Sequence, residues 1–419
     1  MVVTVRSALR TPSSGTALGA LLGVSMGMAN ALGYAVVMLL SRPLGPGEFG
    51  GYTALSTYGV LLAIPAGVFQ VVVARRLSGE DPEEPTSALR PALTVGGGCF
   101  AITAVISPAL AHWFRLPSFW AAVLLGGMLV PMMLTGCFQG VLLGRGRLRA
   151  LGLLYLANAL TRVLAAAVCA VASADVTGVF AAMLIAGAAT ALFGAWLCRT
   201  DLRLLPRSAR LARELVRSNS TLAAYVALTN VDMLLARHFL TAHESGGYAL
   251  ASTFARAICW GTQFVALIIV PRMQGTRPTR TLLRASGVVA AIGVVGFAVV
   301  ALSPRTWITM AGGSDYGEFG QLALFCVLLG IAWALAQVWL FSEMGSNAGF
   351  LGTLTWAVIV AEVVAIATVW HHTPAQIVWV CLVGALVVAG AGLVRVVLRH
   401  QASMPVEESV IVAADGPRA

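Results

Sequence analysis

Lysine is missing altogether, and all 27 basic residues are arginine. We read this as the mark of a GC-rich genome rather than of function. Charge of either sign is scarce, at 11% of the 419 residues, where an ordinary soluble domain carries about 25%. That scarcity, with 58% hydrophobic residues, excludes a soluble globular domain and leaves a polytopic membrane protein. Paired cysteines are absent too. Cys99, Cys137, Cys169, Cys198, Cys259, Cys326 and Cys381 lie in or beside apolar segments, none in a CxxC pair, and read as buried, inert thiols. His112, His238, His243, His371 and His372 lack metal-ligand spacing with any acid or thiol, and no phosphate-binding loop occurs, so neither a metal nor a nucleotide cofactor is expected. Long loops are also lacking. The longest connections run over about 75–90, 199–219 and 271–284, too short for an extramembrane domain. Without a large outer loop, paired carboxylates or a nucleophile motif, a membrane polymerase or acyltransferase is disfavoured, and the chain is not read as an enzyme.

What is present is a series of twelve apolar stretches, at roughly 15–40, 51–74, 91–112, 119–143, 151–172, 177–198, 220–240, 247–270, 285–303, 319–342, 349–370 and 375–394. Arg6 and Arg10 precede the first in the manner of a signal peptide. Its length exceeds the 7–15 residues of a signal core, so it is read as an uncleaved helix. With the N-terminus inside, 21 arginines fall on the inner face and four outside: Arg42, Arg115, Arg237 and Arg305. Arg162 and Arg256 remain within spans. The net charge of +10 is therefore a topology signal and a contact for anionic membrane lipids, not a nucleic-acid footprint. Both termini are expected in the cytoplasm of a bacterium, with the chain in its inner membrane.

The chain also repeats itself. Leu39-Leu40-Ser41-Arg42 followed by Glu48-Phe49-Gly50-Gly51-Tyr52 returns as Leu234-Leu235-Ala236-Arg237 followed by Glu244-Ser245-Gly246-Gly247-Tyr248, Gly50 and Gly246 being 196 residues apart. A second echo pairs Leu151-Gly152 with Leu351-Gly352 at an offset of 200, which sets Arg162 opposite Glu362. Six spans precede the boundary and six follow, so the halves are parallel repeats. The expected organisation is an N-terminal segment (1–14), a six-helix bundle (15–198), a basic cytoplasmic linker (199–219), a second bundle (220–398) and a disordered cytoplasmic tail (399–419).

Three motifs carry a family resemblance. Arg42-Pro43-Leu44-Gly45-Pro46-Gly47-Glu48-Phe49-Gly50-Gly51-Tyr52 is similar to the turn that opens the second helix of the polysaccharide-flippase branch of the multidrug/oligosaccharidyl-lipid/polysaccharide (MOP) exporter superfamily. Gln139-Gly140 through Gly144 to Arg147 resembles the end of its fourth helix, and Asp232 to Arg237 with Gly246-Gly247-Tyr248 and Pro271-Arg272 supplies the third motif. The resemblance covers residues 15–395. It implies an all-α, MATE-like architecture of two six-helix bundles around a cavity that opens alternately to each side. It further implies transport of an undecaprenyl-diphosphate-linked oligosaccharide to the outer leaflet, and leaves open whether the carrier works beside a polysaccharide polymerase or glycosyltransferases. Twelve spans rather than fourteen disfavour the lipid II flippases. The drug-antiporter branch, in which a cation drives multidrug export, places acids early, and the first two helices here have none in their cores.

An ionisable side chain within the bilayer costs at least about 2.5–3.5 kcal/mol, which makes each one a site candidate. Arg256 and Asp232 each lie twelve residues from the turn at Glu244, at equal depth on neighbouring helices. Arg256 is read either as a diphosphate anchor or as a structural partner of Asp232, and the two roles are compatible. Arg162 and Glu362 are cavity charges, for phosphate and for a cation or sugar hydroxyls, unless each is paired within its own bundle; pairing is preferred. The amides Asn30, Gln70, Gln139, Gln263 and Gln337 suit sugar hydroxyls or interhelical hydrogen bonds, and Gln70 and Gln263 are taken as site candidates. Arg42 and Arg237 are outer-gate or turn candidates, explained by snorkelling and by bracing from Glu48 and Glu244. Gly15, Gly19, Gly23 and Gly27 form a stripe expected to pack closely against another helix.

Overall fold

Helix runs from Leu21 to Ser78 over 58 residues. Straight, at 1.5 Å per residue, it would reach about 87 Å, nearly three times a bilayer core of roughly 30 Å. It must therefore turn back. α1 (Pro12–Leu62) turns at Gly45, between Pro43 and Pro46, where φ is 64° and ψ is 172°. A side chain there would be strained, so glycine makes the reversal. α2 (Ile64–Ser78) continues the second crossing past a one-residue break at Ala63.

The computed structural model describes residues 12–78, 89–199, 220–262, 278–343 and 349–402, and among them every regular element is helical. The first lobe is completed by α3 (Leu89–Trp113), α4 (Trp120–Gly144), α5 (Leu148–Val171) and α6 (Val176–Leu197). The second lobe holds α7 (Ser220–Leu228), α8 (Val231–Phe239), α9 (Ala242–Gly261) and α10 (Pro278–Leu302). It ends with the short α11 (Pro304–Gly312), a 3-10 turn (Ser314–Phe319), α12 (Gly320–Glu343), α13 (Phe350–Thr368) and α14 (Pro374–Ala402). Among the described residues, nine helical stretches are long and apolar enough to cross a membrane, and the turn at Gly45 makes two crossings of the first. The broken pair α7–α8 and the polar α9, which carries His243, Glu244 and Arg256, bring the described crossings to the expected twelve. Nearly all of the linker expected at 199–219, and Gln263, lie outside the described residues.

Span seven departs from the sequence reading. One helix was expected over 220–240, but it breaks at Thr229–Asn230. Thr229 Oγ1 donates to the Tyr225 carbonyl (3.1 Å) and Asn230 Nδ2 to the Val226 carbonyl (2.7 Å). Such local bonds compete with the helical ladder and end it without glycine or proline.

Close packing between helices also falls elsewhere than expected. Among the described residues, added Cβ atoms at Gly19, Gly23 and Gly27 would meet nothing within 4 Å, so this part of the stripe seats no described helix; α1 meets α5 instead through Ser25 and Gly152. The glycine contact lies on α4. Gly136, Gly140 and Gly144 rest on the α2 backbone at Ala66, Gln70 and Ala74, so close that an added Cβ at Gly140 would stand 2.7 Å from the Gln70 carbonyl. The two copies of the repeated motif meet where the lobes join. A Cβ at Gly50 would lie 2.9 Å from the Gly246 nitrogen, and one at Gly246 would run into the Pro46 carbonyl.

Candidate functional site

The break in span seven does chemical work. It releases the Thr229 carbonyl from the helix, and Arg256 Nη2 donates to it at 3.3 Å. Arg256 Nη1 donates to Ser252 Oγ at 2.6 Å, one turn back on α9. The guanidinium lies over Trp333 of α12, its carbon 5.9 Å from the ring centroid. Asp232, in the first turn of α8, stands 3.6 Å from Arg256 Nη2 and accepts a hydrogen bond from the Tyr248 hydroxyl at 2.7 Å. The equal depth read from the sequence thus corresponds to an ion pair, but a lopsided one. Asp232 is fully buried, whereas Arg256 keeps 18% of its side chain exposed. Among the described residues Asp232 Oδ1 has no hydrogen-bond partner, so the pair is held by charge more than by geometry. Arg256 therefore retains guanidinium donors for a further acceptor.

Those donors face a cavity of about 460 Å³ between the lobes. The first lobe contributes Asn30, Tyr34, Ser56, Tyr155 and Arg162, and the second contributes Asn230, Thr253, Arg256 and Trp260. Both intramembrane arginines thus line one chamber, and among the described residues no acid lines it. The expected partner for Arg162 inside its own bundle is not there: the side chain is exposed to the chamber and makes no ion pair or hydrogen bond within the described residues. Gln70 sits one layer behind, its Nε2 donating to the Tyr155 hydroxyl at 2.7 Å.

Glu362 stands apart from this chamber. It lies on α13, 3% exposed, at the wall of a groove of about 670 Å³ between α13 and α14. Among the described residues neither carboxyl oxygen has a hydrogen-bond partner, and the intrabundle pairing expected for it is not seen there. Gly384 leaves room for the carboxyl, since a Cβ there would run into Oε1. The groove is larger than the central chamber but offers apolar walls, Trp370 and Trp379 among them, with few polar groups to orient a headgroup. Among the described residues, no cluster of three His, Cys, Asp or Glu is placed to hold a metal ion.

At the end of the chamber that the arginine count assigns to the outside, the lobes are bonded shut. Arg237 is 4% exposed and does not snorkel. Its Nε donates to the Phe114 carbonyl (2.7 Å), Nη1 to the Gly47 carbonyl and Ser245 Oγ (both 2.9 Å), and Nη2 to the Arg115 carbonyl (3.2 Å). Arg115 reaches back to the carbonyls of Leu240 (2.8 Å) and His238 (2.9 Å). Arg42 Nη2 donates to the Met310 carbonyl at 2.7 Å, Ser41 Oγ to the Ala311 carbonyl at 2.9 Å, and Trp113 stacks on His238 across the seam with centroids 4.1 Å apart. Glu244 does not brace Arg237. It closes a capping box with Thr241 at the start of α9. The sequence reading placed Arg115 outside without giving it this role.

No model of a protein family matches the sequence, and no curated protein matches it. Solved structures do match in fold. An inward-facing multidrug resistance MATE family transporter of the MOP superfamily superposes with a TM-score of 0.74 at 15% identity, over 89% of this chain and 95% of that one. An outward-facing transporter of the same description gives 0.54 at 16% identity, over 91% and 93%. A MOP superfamily transporter from Pyrococcus furiosus, described as having a binding pocket of reverse polarity that suggests a different function, gives 0.54 at 15% identity, over 91% and 95%. The chain is thus a multi-pass membrane protein with the fold of MATE transporters.

Proposed function

We propose that this protein is an alternating-access flippase that carries an undecaprenyl-diphosphate-linked oligosaccharide from the inner to the outer leaflet of a bacterial cytoplasmic membrane, for cell-surface polysaccharide synthesis. The observation that carries the reading is the pair Arg256 and Arg162, one from each lobe, facing a common chamber with no acid among the described residues of its lining. A guanidinium binds diphosphate oxygens through paired donors, and two of them offset two negative charges in a medium where unpaired charge is costly. The surrounding hydroxyls, amides and aromatic rings suit a sugar. The outer seam is closed, and the fold lies nearer the inward-facing relative than the outward-facing one, which supports a state open toward the cytoplasm. Export of an anion is also favoured by a negative interior, about 2.3 kcal/mol per charge per 100 mV and roughly twice that for two.

Cation-coupled multidrug antiport is the second reading. It calls for acids in the chamber, but Asp232 is buried behind Arg256 and Glu362 opens onto another groove. The unpartnered carboxyl of Glu362 is the observation in its favour. A pocket of reverse polarity has been described for a transporter of this fold, and the two arginines give this chamber the chemistry for an anion.

The test is lipid-linked sugar analysis in a deletion strain complemented with wild type or Arg256→Ala. We expect undecaprenyl-linked oligosaccharide to accumulate in the inner leaflet and to be cleared by wild type alone. Clearance by both would make Arg256 structural. Unchanged lipid intermediates would sink the flippase reading, and drug efflux by Asp232 and Glu362 variants would then be measured.

A further inference from the structure

Beside the central chamber lies a smaller space of about 150 Å³ wholly inside the first lobe, enclosed by α2, α4, α5 and α6. Arg162 and Asn158 line both spaces. They are one turn apart on α5 and so share a face, which makes that turn the doorway between the two. Inside, Gln139 and Asn158 present side-chain amides that make no hydrogen bond within the described residues, and Thr135 adds a hydroxyl. The apolar wall is built from Met128, Met132 and Met183, whose flexible thioethers adapt to an irregular guest. Gly67 opens directly onto this space: an added Cβ would meet nothing within 4 Å.

We propose that this pocket is a sugar subsite that receives the single glycosyl residue attached directly to the diphosphate. The inference rests on the flippase reading and goes beyond it by dividing the headgroup between two places. Arg162 stands in the doorway, where it grips a phosphate, and the next group along the ligand enters the lobe. Amide carbonyls beside amide NH₂ groups offer acceptors as well as donors, which ring hydroxyls use and a bare anion does not. Methionine walls suit the apolar face of a pyranose. The space, about 150 Å³, is the size of an engineered cavity that takes up benzene, room for a single ring. The remaining sugars stay in the wide chamber, so the pocket selects the first residue and tolerates variety in the rest.

The experiment measures binding of two probes to the purified full-length protein: a short-chain prenyl diphosphate, and the same lipid carrying one N-acetylhexosamine. Wild type is expected to bind the sugar-bearing probe about tenfold more tightly, the size of one or two net hydrogen bonds. Gly67→Leu, whose Cβ has open space and whose longer branches extend into the pocket, should reduce that preference to less than twofold while binding of the bare probe is kept. Gln139→Ala, which removes an amide and adds no volume, should erode the same preference. Equal binding of both probes by wild type, or a preference that survives Gly67→Leu and Gln139→Ala, would overturn the subsite alone. Failure of wild type to bind either probe would overturn the flippase reading and the subsite with it.

Discussion

Asp232 and Arg256 are unequal partners. The carboxylate has no exposure, and one of its oxygens has no hydrogen-bond partner, while the guanidinium leans into the chamber. Asp232 therefore competes with any anion that Arg256 would hold. Asp232→Asn keeps an acceptor for the Tyr248 hydroxyl and removes the competing charge. Breaking a buried pair costs about 3–5 kcal/mol when the survivor is sealed in. Here the survivor reaches the chamber, so thermal melts should show a smaller loss, with tighter binding of the bare prenyl diphosphate. Weaker binding would mean that Asp232 orients the guanidinium rather than restrains it. This pairing was legible in the sequence, because equal distances from one helical turn fix equal depth. The direction of Glu362 was not. Depth along a helix is read by counting, but the face a lone acid presents depends on the roll of its helix, here set by the contact with Gly384.

At the scale of elements, the break at Thr229–Asn230 is the feature that composition concealed. Neither residue is a strong breaker, and the interruption comes from two side chains turning back onto carbonyls 225 and 226. The replacement Thr229→Ala with Asn230→Leu should heal the helix and raise the melting temperature by the equivalent of about 1 kcal/mol. It should also weaken prenyl diphosphate binding, because the Thr229 carbonyl would return to the helical ladder and no longer hold Arg256. A stabilised protein with unchanged affinity would show that the break is dispensable. The glycine stripes make the same point differently. Spacing by four announces that two helices are able to approach closely, and both α1 and α4 have that spacing. Only contacts distant in sequence decide which one is used, and α2 lies on α4.

At the scale of the whole molecule, the duplication was the most legible property, since it rests on paired segments rather than on any one residue. The structure adds that the paired segments touch, with Gly50 against Gly246 where the lobes join. Replacing Gly246 by Ala would force a Cβ into the Pro46 carbonyl, and overpacking of that kind costs about 1–3 kcal/mol. The arginine bonds beside it should govern which side is open. Arg237→Ala with Arg115→Ala is expected to widen the outer distance between spin labels on the two lobes, measured by electron–electron resonance. An unchanged distance distribution would assign the closure to packing alone.

The acceptors in that seam are backbone carbonyls, with Ser245 Oγ the one side-chain acceptor of Arg237. A carbonyl is inherited whatever residue bears it. Most substitutions at the accepting positions would leave those bonds in place, while loss of Arg237 removes four at once and loss of Arg115 two. Selection on the closed state should therefore fall on the donors Arg42, Arg115, Arg237 and Ser41 and pass over most of their partners. Coupled substitution between the lobes, the usual trace of a conserved contact, should be nearly silent where they are most firmly joined.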